Sequence, residues 1–90
     1  MDIEELDERV KTLYNACWKS FRQYTSDYDI NAYSERCQQL LVQNKDTILM
    51  SSVCEGINWE LAKVVNAMHS KYLEKRNLIE NQADKPECLV

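Results

Sequence analysis

From the N-terminus, apolar residues recur at intervals of three and four: Ile3, Leu6, Val10, Leu13, Cys17, Phe21 and Tyr24. At about 100° per residue these positions form one stripe, and the spacing predicts a helix over 2–24. Its opening is acidic (Asp2, Glu4, Glu5, Asp7, Glu8) and its close carries Lys19 and Arg22, as the helix dipole favours. Tyr14 and Trp18 widen the apolar sector to roughly 140°, broader than a two-stranded coiled-coil seam needs, which implies a multi-helix core.

The period then breaks at Thr25-Ser26-Asp27-Tyr28-Asp29, where short polar side chains compete with a helix for backbone hydrogen bonds. A connection is expected there, with Asp27 or Asp29 capping a second helix over 29–43. Its inner face would be Ile30, Tyr33, Cys37, Leu40 and Leu41. A link this short favours antiparallel neighbours. After Asn44-Lys45-Asp46, with Asp46 or Thr47 as cap, come Ile48, Leu49, Met50, Val53 and Cys54. Ile57, Leu61, Val64, Val65, Met68, Tyr72 and Ile79 follow.

Gly56 divides two readings of that last stretch. Glycine commonly closes a helix and Asn58 is a good N-cap, so a break or kink is expected, with helices over 46–56 and 58–81. In the alternative, Leu49, Val53, Ile57 and Leu61 stay in phase through one long helix. From Ala83 onward no period remains, and 83–90 is expected to be a loose tail on a bundle spanning 1–82. The expected fold is an all-α, single-domain bundle of three or four helices.

Composition narrows the function more than it names one. One glycine and one proline leave too little turn chemistry for a β-sandwich or barrel, and 44% hydrophobic residues against 29% charged suit a folded domain. A net charge of −4 supplies no general attraction for nucleic acid or an anionic membrane, and direct nucleic-acid binding is not expected. No apolar run approaches the roughly 20 residues needed to cross a bilayer. The four cysteines, Cys17, Cys37, Cys54 and Cys88, form no CxxC pair. The first three fall on or beside apolar faces, so they read as buried free thiols in a cytoplasmic protein.

Candidate chemistry is sparse. His69 is the only histidine and has no local nucleophile or metal-ligand companion, so no metal, cofactor or catalytic group is expected. Glu4, Glu5 and Glu8 stand in E-E-x-x-E order, which resembles the first half of the magnesium site of all-α nucleotide pyrophosphatases. The E-x-x-D pair that completes the cage in that family occurs nowhere downstream, and the turn reads as a solvated, dipole-favoured face. The size and helix content also resemble those of chorismate-mutase-like enzymes. Such an activity would need cations such as Arg9, Arg22, Arg36 and Lys63 to converge on one pocket.

Trp59 stands apart, because it projects roughly opposite the last helix's core stripe and begins a second one with Ala62, Asn66, His69 and Leu73. Tryptophan and tyrosine anchor interfaces at small entropy cost. The expected function is that of a non-catalytic, acidic protein-binding module. It would be an adaptor, or an anti-CRISPR-like inhibitor, encoded by a virus or mobile element, of a nucleic-acid-handling host machine. In that reading Trp59, Asn66, Leu73, Tyr24 and Tyr28 act as anchors, and Glu4, Glu5, Glu8, Asp27 and Asp29 face a basic partner. The alternatives are a homodimeric structural or regulatory protein, and a small all-α enzyme or binder of an anionic metabolite.

Overall fold

A computed structural model describes the backbone of residues 2–88 and the side chains of 2–78; the expected tail, 83–90, lies outside the described side chains. Three helices pack pairwise: α1 (Ile3–Asp27), α2 (Ile30–Gln43) and α3 (Ile48–Cys88). None is long and apolar enough to cross a membrane. Asp2 caps α1, accepting from the Glu5 N–H at 2.8 Å. The helix runs a turn beyond the expected end at Tyr24. Thr25 turns its hydroxyl onto the Arg22 carbonyl (2.7 Å), and Tyr28 closes the helix in the left-handed region (φ 54°) with its N–H on the Tyr24 carbonyl.

Asp29, the second of the two expected caps, starts α2 through the Ala32 N–H at 3.0 Å. Asp27 instead braces the turn, accepting from the Asp29 N–H (2.9 Å) and from Gln23. Thr47 caps α3 through the Met50 N–H (3.1 Å), while Asp46 forms a two-pronged ion pair with Arg9. That pair brings the starts of α1 and α3 together. At the other end the Tyr24 hydroxyl meets His69 Nδ1 at 2.9 Å, so α1 and α3 run parallel with α2 antiparallel to both.

The expected break at Gly56 is absent, and the two last helices are one. Gly56 has no positive φ and sits exposed on the outer side of α3, where an added Cβ would meet nothing within 4 Å. Met50 and Cys54 before it and Val65 after it are all buried on one stripe. An interior glycine costs about 1 kcal/mol relative to alanine, whereas each buried side chain of this size contributes about 1.5–3 kcal/mol, so continuity of the stripe prevails. Asn58, expected as a cap, instead donates across to the Cys37 carbonyl at 3.4 Å and ties α3 to α2.

The core has two layers. Leu13, Cys17, Met50 and Cys54 form the lower one, with Leu40, Leu41, Val53 and Ile57 packed around it. Phe21, Tyr24, Tyr33 and Val65 form the upper one. The three cysteines with described side chains, one from each helix, are free thiols at or near this core. Burial pushes Cys17 up to about 12 and raises Cys37 and Cys54 as well, which keeps all three protonated at neutral pH. On the far side of α2, Arg36 donates to the hydroxyl (3.1 Å) and carbonyl (3.0 Å) of buried Ser20. Tyr14 and Trp18, expected to widen the core face of α1, are 60% and 52% exposed, and Val64 is also left at the surface.

Candidate protein-binding site

An open groove of about 760 Å³ lies between α2 and α3. Ile30, Tyr33, Cys37 and Leu41 form its α2 wall; Ser52, Glu55, Gly56, Trp59, Ala62 and Asn66 form its α3 wall. These positions follow helical spacing on both sides, so the groove is a two-helix seam with its third neighbour, α1, on the opposite face. From Ser52 to Asn66 it runs about 20 Å along α3, the length of three to four helical turns.

Trp59 stands on the rim, 66% exposed, with the Lys63 ammonium 5.6 Å from its ring centroid. Lys63 also reaches Glu60 at 3.1 Å, which holds the cation beside the indole. The groove floor is fixed by Asn58, bonded to Cys37 and near the Cys54 sulfur (3.6 Å), and by buried Tyr33. Burial raises the Tyr33 phenol, and the Cys37 thiol adds to that rise without lying in hydrogen-bond geometry. The Tyr33 hydroxyl has no hydrogen-bond partner among the described residues. Glu55 is the one formally charged residue of the lining, and no lysine or arginine contributes to it.

The residues expected to bind a partner do not share one place. Trp59 and Asn66 line the groove. Leu73 lies beyond it, on the exposed stretch of α3 past Tyr72. Tyr24 must be withdrawn: it is fully buried, bonded to His69 and packed edge-on against Tyr28 and Tyr33. Its position on the core stripe of α1 places it there, and tyrosine with a partner for its hydroxyl is as much a core residue as an interface one. Tyr28 is partly exposed but lies flat on Tyr72, ring centroids 4.6 Å apart, joining the α1–α2 turn to α3. Asp27 and Asp29 are engaged in that turn. Glu4, Glu5 and Glu8 are exposed at the other end of α1, about 35 Å away along the helix, so the two acidic groups do not form one surface.

The sequence missed the α2 wall, because Ile30, Cys37 and Leu41 were counted as inward-facing; each is half-buried, with one side on the core and the other in the groove. The signal available for the groove was the second stripe on α3. The cations that an anionic metabolite would need are dispersed: Arg9 is paired with Asp46, Arg36 with Ser20, and Lys63 with Glu60. Among the described residues no cluster of histidine, cysteine or carboxylate side chains could hold a metal ion. Compared with protein-family models, curated proteins and solved structures, the chain matches none.

Proposed function

We propose that the chain is a protein-binding module that receives a helix of its partner in the α2–α3 groove, and that it carries no chemistry of its own. The observation behind this reading is Trp59 exposed on the rim of an apolar seam long enough for three to four helical turns. An amphipathic partner helix laid there would complete a four-helix arrangement and cover Ile30, Leu41 and Ala62. Acting as an adaptor or an inhibitor are both roles such a module can fill. The lack of cations in the groove favours a helix over an anionic metabolite as its occupant.

The test compares the full chain with Trp59→Ala in pull-downs from nuclease-treated lysate of the source organism. A stoichiometric partner should be retained by the full chain and its affinity should fall at least about 30-fold in the variant, the scale of an interface anchor. The thermal midpoint should be nearly unchanged, because most of the indole lies outside the core. A protein partner held equally well by both forms would remove the groove from the interface, and a large loss of stability would make Trp59 a core residue.

A further inference from the structure

Gly56 is a glycine that the fold does not require. It has no positive φ, and an added Cβ would meet nothing within 4 Å, so neither a turn nor a close approach within the chain calls for it. In the middle of a helix it lowers stability relative to alanine. A position that breaks a local rule with no structural return points to function, and Gly56 lies in the lining of the α2–α3 groove. Its neighbour gives that groove a sign. Glu55 is the one formally charged residue of the lining, it is exposed, and among the described residues it enters no ion pair. Lys63, beside Trp59 on the rim, already has Glu60 as its counter-charge. Gly56 also borders a cleft between α1 and α3, but the carboxylate in that lining is Glu60, which is paired.

We infer that the helix received in the α2–α3 groove is a basic one, which crosses α3 with its backbone against Gly56 and sets a lysine or arginine on Glu55. This rests on the groove being the helix receptor proposed above and names the chemistry of what it receives. Packed helices lie about 8–10 Å apart according to the side chains at their contact, and glycine permits the short end of that range. Ser52, one turn before Gly56 on the same wall, is also small. An acidic helix would meet repulsion twice, from a chain of net charge −4 and from Glu55 itself, whereas a basic one is drawn by both. Glu55 and Trp59 are four residues apart on one face of α3, so the ionic contact and the apolar anchor sit side by side. With a single charge in the lining, that contact also fixes the register of the occupant along the groove.

The test is a selection from a displayed library of amphipathic helical peptides of about 18 residues, enough to span the groove. The apolar face is varied among Gly, Ala, Leu and Phe, the flanking positions among Lys, Gln and Glu, and the full chain is the bait. Retained peptides should carry Lys over Glu at one flanking position by at least about fivefold, the scale of exchanging one repulsive contact for one attractive contact. Glu55→Gln should level that preference. Glu74→Gln, which removes the same charge about 28 Å away along α3, should leave it intact and so separate a local contact from the field of the whole chain. Gly56→Ala should weaken the retained peptides about tenfold, the cost of forcing a methyl group into a packed contact, even as it raises the thermal midpoint of the free chain.

An empty selection, or peptides held equally by Trp59→Ala, would remove the groove as a helix receptor and this inference with it. Peptides that need Trp59 but carry Lys and Glu equally, or prefer Glu, would overturn the inference alone. So would a preference that survives Glu55→Gln, or full affinity for Gly56→Ala.

Discussion

Tyr33 shows at the residue scale how this core tolerates an unmet polar group. Its ring is needed where α1, α2 and the groove floor meet, packed edge-on to Tyr24 and with the Arg36 guanidinium 5.9 Å from its centroid. Its hydroxyl is buried with no partner among the described residues, which costs about 1–3 kcal/mol in desolvation. Tyr33→Phe keeps the ring and removes the orphan oxygen, so the variant should be at least as stable as the parent, by up to about 1 kcal/mol in urea unfolding. A clear loss of stability would mean that the oxygen has a partner after all. Tyr24 makes the contrasting case. Its hydroxyl is satisfied by His69, the chain's single histidine, and that bond joins the tops of α1 and α3.

For the elements, α3 carries the argument. It belongs to both cores, caps on Thr47, stacks on Tyr28 through Tyr72, and presents a different groove on each side. Gly56 is the one residue that lines both grooves, and nothing in the monomer fills the space a methyl group would take. Gly56→Ala should therefore stabilise the isolated chain by about 0.5–1 kcal/mol through helix propensity, read as a rise in thermal midpoint at a dilution where the chain is monomeric. A fall would mean that α3 bends at Gly56 in solution. The connection between α1 and α2 is short because it is built from interlocking caps: Tyr28 closes one helix in a left-handed conformation that few tyrosines adopt, and Asp29 opens the next. Stacking on Tyr72 offsets the backbone cost at Tyr28.

Across the whole molecule, the buried acids set a pH dependence. In the folded chain Cys17 holds its proton up to about 12, against 9.0 for a free thiol, and burial also raises Cys37, Cys54, Tyr24 and Tyr33. The unfolded chain releases thiol protons from about pH 9, so between about pH 9 and 12 the folded state binds more protons. Its stability is then full below that window and falls as pH rises through it. The urea midpoint should decline steadily from about pH 8 to about pH 11, and Cys17→Ala should make that decline shallower whatever it does to the absolute value. A flat profile in the parent would place Cys17 in contact with water.

The helical class, the starts of α1 and α2, the core stripe of each helix and the burial of Cys17 and Cys54 as free thiols were legible in the sequence, because each follows from periodicity, capping chemistry or composition that local physics enforces. Gly56 was ambiguous for the opposite reason. Its local preference favours a break, and only packing of Met50, Cys54 and Val65 on one continuous stripe decides against it. Tyr24 and Trp18 share the wide apolar sector of α1 and differ only in azimuth, so the sequence could not say that one would be sealed between three helices and the other left on the surface. The grooves belong to no single element. Each exists because α3 lies beside a neighbour at a particular rotation, and long-range contacts such as Arg9 with Asp46 and Tyr24 with His69, which no spacing rule encodes, are what fix that rotation.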